Sequence, residues 1–312
     1  MKAQILATLA YADIFDYPLT EEEIWEWLIN LKTENGKQKT DYRRQKTEDR
    51  EEFAHSLQLA LHSHSIRMSQ GCYCLPGREE IIKIRQEKER WSVSKFKRAE
   101  KVAGILRLIP WIKLVGVTGG LARMNADKGD DIDLFFITAK NRLWLTRGLV
   151  VLVLSLLGLY RRKNKIANMI CPNMFVSEDC LQMKPEDVYM AHEVCLMKPI
   201  FIRGDTYQRF LRINSWIKNF LPNALDSKNQ KSKIKNTDQI SKLFSLLILI
   251  CNFTFYILNF TFIEKISRFF QIWYMRQRRT TEVVSDNLIK FHPQDVRQEI
   301  LTKWQERRES YR

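Results

Sequence analysis

V-G-V-T-G-G-L-A-R-M-N-A-D-K-G-D-D-I-D-L-F-F-I-T, residues 115–138, is the stretch that sets the reading of this chain. Leu114 to Val117 is an apolar run of strand length that stops at Gly119-Gly120. Glycine there permits a tight turn and a close approach of backbone to a ligand. A polar connection follows, and Asp131-Ile132-Asp133 opens a second apolar run, Leu134 to Ile137. Side chains two apart on a strand share a face. Asp131 and Asp133 therefore offer two carboxylates on one side, beside the glycine turn. Two hard oxygen ligands with open space next to them suit Mg²⁺ carrying a nucleoside triphosphate. The bland alternative is a buried strand pair joined by a surface turn. Two acids leading straight into a core strand are costly, however, unless paired or metal-bound.

The flanking sequence supplies charge of the opposite sign. The chain has 312 residues and a net charge of +15, from 51 basic and 36 acidic residues. Residues 140–165 carry Lys140, Arg142, Arg147, Arg161, Arg162, Lys163 and Lys165 without a single acid, and residues 226–312 hold 16 basic against 9 acidic residues. An anionic partner is implied: a triphosphate, a nucleic acid or a membrane surface. The six cysteines form no C-x-x-C pair, which argues against a zinc ribbon and for reduced thiols in a cytoplasmic protein. The N-terminus has no long apolar core, so no secretory signal is expected there. His192-Glu193 begins like a zinc-protease motif, but Leu196 stands where the second histidine is required.

The glycine pair, the ten-residue interval Leu121 to Asp130, the Asp131-Ile132-Asp133 triplet and the two flanking strands resemble the nucleotidyltransferase superfamily that includes DNA polymerase β. Ala122-Arg123 occurs in many small bacterial members, while Gly120 replaces the usual serine. The resemblance covers about 24 residues. It implies an α/β (α+β) fold, a mixed sheet flanked by helices. It also implies one or two Mg²⁺ ions on Asp131 and Asp133, and backbone N–H groups of Gly119 and Gly120 cradling the β- and γ-phosphates. A hydroxyl acceptor, whether small molecule, protein or nucleic acid, would attack the α-phosphorus and release pyrophosphate. Arg123, Lys128, Arg142 and Arg147 are the cations nearest in sequence and are candidates for triphosphate contacts. The superfamily often carries a third carboxylate on a strand after the next helix. Asn173 occupies the plausible position here, with Glu178 and Asp179 just beyond as alternatives. An Asn cannot act as a general base. The alternative reading is a non-catalytic nucleotide-binding regulator on the same fold.

Around this centre the chain divides into four parts. Residues 1–90 read as a small helical unit ending in a hairpin, similar to a winged helix. Its first helix stops at Asp16-Tyr17-Pro18, and Thr20 with Glu23 makes a capping box. The third helix, about residues 51–64, is poor in Lys and Arg, so docking within the chain or dimerisation is favoured over nucleic-acid binding. Residues 91–225 hold the nucleotidyltransferase domain with its leading helix, in which Ala99, Val102, Ala103 and Leu106 form an apolar face. A buried helix over 148–160 and a third strand over 169–176 follow the D-x-D strand. Residues 226–242 are a polar basic linker. Residues 243–312 are helical, opening with a charge-free run, Leu243 to Ile263, long enough to span a bilayer. Ser245, Asn252 and Asn259 recur there every seven residues, which favours packing against protein or attachment to a membrane surface over a span.

Overall fold

The computed structural model describes residues 1–31, 46–226, 260–276, 283–290 and 294–311. The linker from 227, the apolar run up to 259 and His292 lie outside the described residues.

The N-terminal part follows its local signals. Helix α1 (Lys2–Asp13) is followed by Tyr17-Pro18 and the short strand β1 (Leu19–Thr20). At α2 (Glu21–Glu26) the Thr20 hydroxyl accepts from the Glu23 N–H at 3.3 Å, and the Glu23 carboxylate accepts from the Thr20 N–H at 2.9 Å. That reciprocal pair satisfies two amides that a helix start otherwise leaves open. Helix α3 (Lys46–His62) buries Phe53, Leu57 and Ala60. Strands β2 (Arg67–Ser69) and β3 (Cys72–Cys74) make the hairpin, with β1 completing a three-stranded sheet in the order β1-β3-β2.

Helix α4 (Glu80–Leu106) buries Ala99, Val102, Ala103 and Leu106, as its periodicity predicts. It leads to strand β4 (Ile112–Val117), helix α5 (Gly119–Ala122), strand β5 (Ile132–Thr138), helix α6 (Leu143–Leu156) and strand β6 (Ile170–Ser177). Then come α7 (Val188–Leu196), β7 (Lys198–Ile202), α8 (Thr206–Ile213), α9 (Phe260–Arg276), β8 (Val283–Val284), β9 (Leu288–Lys290) and α10 (Gln294–Ser310). The second sheet is mixed, in the order β7-β4-β5-β6-β9-β8. β4 pairs antiparallel with β5 and β7, whereas β5 and β6 run parallel, joined by the α6 crossover.

Alternation along β5 divides the core. Ile132, Leu134 and Phe136 face a cluster with Val102, Val117, Trp144 and Val150, beneath α4 and α6. Phe135 and Ile137 face the other way, into a core shared with Val194 of α7, Phe210 of α8, Trp304 of α10 and Ile5, Leu9 and Phe53 of the N-terminal unit. The described part of the N-terminal unit thus packs through a continuous apolar core against one face of the large sheet. Polar contacts lock the seam. The Trp304 indole N–H donates to the Ala7 carbonyl at 2.9 Å, the Asn125 amide to the Phe15 carbonyl at 2.8 Å, and Asp13 receives both Arg78 and Arg307. Among the described residues no helix is long and apolar enough to cross a membrane. Helix α9 does expose Phe262, Phe269, Phe270 and Trp273.

His192 belongs to this seam and to no metal site. Its ring stacks on Tyr11 at 4.0 Å, and Nδ1 lies 2.8 Å from the Val188 carbonyl. Burial lowers the imidazole to about 3, with the Val188 carbonyl opposing and Arg123 reinforcing the shift. In the unfolded chain the ring takes a proton near pH 6.5. Below that pH the unfolded state holds a proton that the folded state refuses, so stability falls from pH 6.5 down towards 3 and is unaffected above it. Denaturant unfolding should show the wild type losing about 2 kcal/mol between pH 7 and 5 beyond the loss in His192→Phe. Equal pH slopes for the two proteins would contradict the neutral, buried ring.

Candidate metal and phosphate centre

Strand β4 ends at Thr118, and the chain turns through Gly119 into α5. Gly119 has φ +66°, and a Cβ built there would lie 3.0 Å from Oδ2 of Asp133. Both facts demand glycine: the left-handed backbone disfavours any side chain, and the aspartate fills the space a methyl would take. The Thr118 N–H donates to the Asp133 carbonyl at 3.1 Å, so the turn and the D-x-D strand are joined through the backbone. Gly120 is under less constraint, since a Cβ there would meet the Asn125 carbonyl at 3.4 Å.

Asp131 and Asp133 flank buried Ile132 and stand on the same side of β5, both half-buried. The parallel register sets Cys171 of β6 opposite Asp133. One carboxylate oxygen from each aspartate and the Cys171 sulfur all lie within 4.8 Å of one another. Burial, then the charges of Asp133 and Asp131, push the Cys171 thiol well above its ordinary value. The fourth participant is Arg161, whose Nε lies 2.8 Å from Oδ2 of Asp131. It arrives because α6 runs back along the sheet and its exit pairs with the start of β6, where the Arg161 N–H donates to the Ile170 carbonyl at 3.0 Å. Burial works to lower the Arg161 guanidinium, but Asp131 and Cys171 outweigh it and raise it. Arg162, Lys163 and Lys165 are exposed on the same loop.

Behind the centre, α4 sends in Lys95, which is 2% exposed. Its ammonium donates to the carbonyls of Lys128 at 3.2 Å and Asp130 at 2.6 Å and to Oδ1 of Asn168 at 2.9 Å. Burial lowers this lysine, opposed by Asp130 and Asp131. Ser92 of the same helix accepts from the Ala126 N–H at 2.9 Å. The connection from α5 to Asp131 is therefore held at several points.

Three expectations need correction. Arg123 does not face the centre: its guanidinium lies 3.9 Å over the Phe15 ring, 3.3 Å from Glu193, and is 7% exposed. Arg142 and Arg147 belong to the start of α6, beyond the opposite end of β5, where Arg142 bonds the Asn141 carbonyl and Arg147 bonds Gln271. That end is about 20 Å from the aspartates, given the rise of a seven-residue strand. Glu178 and Asp179 are also at the far end, where the Glu178 N–H donates to the Thr138 carbonyl. Glu178 accepts from the Lys140 N–H at 3.1 Å and pairs with Arg209 at 3.3 Å, and Asp179 pairs with Lys140 at 4.0 Å. Asn173 sits at an irregularity in the β5–β6 register and lines a cavity of about 60 Å³ with Thr118, Phe135 and Lys290. The third donor facing the aspartates is Cys171. Lys128 stays near the centre, on the connection to Asp131, with its ammonium 5.3 Å over the Trp91 ring.

Asp131, Asp133 and Cys171 are the residues that could hold a cation here. Two carboxylates converge beside a turn that excludes a side chain, and a guanidinium already supplies positive charge at Asp131. Comparison with protein-family models, with curated proteins and with solved structures finds no match to this chain. The chemistry therefore has to be argued from these residues alone.

Gly119→Ala should cost about 1–3 kcal/mol of unfolding free energy, from the positive φ and the contact with Asp133. Gly120→Ser should change it by less than about 0.5 kcal/mol. Equal effects in urea titrations would show that the turn is not built on Gly119.

Proposed function

We propose that the chain binds a divalent cation with a nucleoside triphosphate at Asp131, Asp133 and the Gly119–Gly120 turn. The reaction that fits this reading is transfer of a nucleotidyl group to a hydroxyl acceptor with release of pyrophosphate. The observation that carries it is the convergence of the two carboxylates on the glycine turn. The basic loop 161–165 adjoins it, so a cation site and a cationic anion-binding surface share one end of the sheet. The mixed sheet and the turn suit a DNA polymerase β-like nucleotidyltransferase, and we read the N-terminal unit as winged-helix-like and docked within the chain. Mg²⁺, when bound, would polarise the phosphoryl group and offset the charge on the triphosphate. Asp131 and Asp133 would hold that ion, the amides at the turn would orient phosphate oxygens, and Arg161 would add a bidentate phosphate contact. Mixing the purified protein with Mg²⁺, labelled nucleoside triphosphates and candidate acceptors tests this. Triphosphate binding and pyrophosphate release should both be lost in Asp131→Asn and Asp133→Asn. Retention of both in either variant would refute the proposal.

A second reading, triphosphate binding without turnover, is favoured by Cys171. A thiol is a soft ligand where a hard cation prefers oxygen, and no carboxylate stands third to the two aspartates among the described residues. Cys171→Asp should tighten Mn²⁺ binding several-fold in either case, because it adds a hard anionic donor. Under the transferase reading it should also raise pyrophosphate release, whereas under the regulatory reading release stays at background.

A further inference from the structure

Away from the aspartates, a cleft of about 540 Å³ opens between the N-terminal unit and the end of the large sheet, bounded by α2, α4, α5, the end of α7, the start of β7 and α8. Helix α5 stands between this cleft and the carboxylate centre: the space beside Gly119 at its start is filled by the Asp133 carboxylate, and Ala122 with the following Met124 lines the cleft. The volume falls in the range of small-molecule sites.

The lining is specific in kind. Tyr17 and Trp27 supply ring surfaces from one side, with centroids 6.1 Å apart, and Phe96 of α4 supplies another. Carboxylates of Glu26 and Glu89 border the same space. Tyr207 of α8 lines it too; this tyrosine is 2% exposed, and its hydroxyl is buried without a hydrogen-bond partner. A buried hydroxyl left in that state costs free energy that a ligand atom can recover. Two of the bordering guanidiniums are engaged within the protein. Arg85 grips Glu23 at 2.7 and 3.0 Å while lying 4.4 Å over the Tyr17 ring, and Arg123 holds Glu193. Lys198 lines the cleft too, its ammonium 5.9 Å over the Phe96 ring, so Glu23, Glu26 and Glu89 are matched by Arg85, Arg123 and Lys198 and the lining carries little net charge, which favours an uncharged ligand over a phosphate. Aromatic faces, acceptors for N–H groups and one hydroxyl suit a flat ring bearing amino or ring N–H donors.

We propose that this cleft is a second ligand site, for an uncharged nitrogen heterocycle of nucleobase or nucleoside size. Its rings lie against Tyr17, Trp27 and Phe96, its N–H groups donate to Glu26 and Glu89, and a ring nitrogen or carbonyl meets the Tyr207 hydroxyl. The site stands whether or not the carboxylate centre turns over nucleotides. Because α5 borders both, a ligand here bears directly on the glycine turn.

Calorimetric titration of the full chain in EDTA, with adenosine, guanosine and cytidine as probes and indole as a ring with a single N–H donor and no acceptor for the Tyr207 hydroxyl, tests it. EDTA removes the cation that a triphosphate at the aspartates would need. One saturable site per chain is expected for at least one nucleoside, with indole much weaker. Tyr207→Phe removes only the unpartnered hydroxyl, so the fold should keep its melting temperature while nucleoside affinity drops about tenfold. Glu26→Gln should weaken the same binding, and Asp133→Asn should leave it unchanged. The proposal is overturned if no nucleoside saturates the protein at millimolar concentration, or if indole binds as well as the nucleosides. It also falls if Tyr207→Phe and Glu26→Gln both bind like the wild type, or if Asp133→Asn abolishes binding. Loss of triphosphate binding in Asp133→Asn alongside intact nucleoside binding would separate the two sites.

Discussion

A single buried ammonium organises the approach to the carboxylates. Lys95 projects from the middle of α4, and its three N–H donors meet three oxygen acceptors, two on the connection ahead of Asp131 and one on Asn168 ahead of β6. A lysine this deeply buried is tolerated because every donor is met and acidic residues lie near it. The consequence is positional. The two chain segments that enter β5 and β6 are tied to one point, and those strands carry Asp131, Asp133 and Cys171. Without that tie a polar loop would lead into the D-x-D, and loops are the parts of a protein that move most.

Charge balance then defines what the centre can accept. Two carboxylates and a thiol within 4.8 Å of one another repel if all are anionic, and Arg161 offsets part of that at Asp131. Arg161 lies on an exposed basic loop, so it can meet either the carboxylate or an incoming phosphate. A cation arriving with a triphosphate would take over the role of balancing Asp131 and Asp133. The third place, held by sulfur, separates this centre from an all-oxygen site and is the feature that most limits its chemistry.

Much of this was legible in the sequence. Period-two alternation assigns Asp131 and Asp133 to one face, and the glycine pair marks a turn whose positive φ the structure places at Gly119. The capping box at Thr20 and the apolar face of α4 follow from local spacing alone. Residues near the motif in sequence misled, because proximity along the chain is not proximity in space. Arg142 and Arg147 follow β5 closely, yet β5 carries the chain away from the aspartates. Only after α6 has run back does a residue of the same basic block, Arg161, reach Asp131. Glu178 and Asp179 fail for the mirror reason, since they follow β6 at its far end. Cys171 needed the parallel register, which depends on the crossover and cannot be read from either strand. Arg123 was taken up by Phe15 and Glu193 because the N-terminal unit docks against α5 and α7, a tertiary fact without a local signal. Lys95 is one of many charged residues along α4, and nothing in its sequence neighbours marks it as buried.

The central proposal is spatial: a divalent cation would sit between Asp131 and Asp133, beside the Gly119 turn and against Cys171. Anomalous scattering from crystals grown with Mn²⁺ and a non-hydrolysable nucleoside triphosphate measures that directly. The account predicts a peak about 2.2 Å from carboxylate oxygens of both aspartates, with the phosphates lying over the turn towards Arg161. A peak elsewhere, or none at saturating Mn²⁺ with the triphosphate bound, would contradict it.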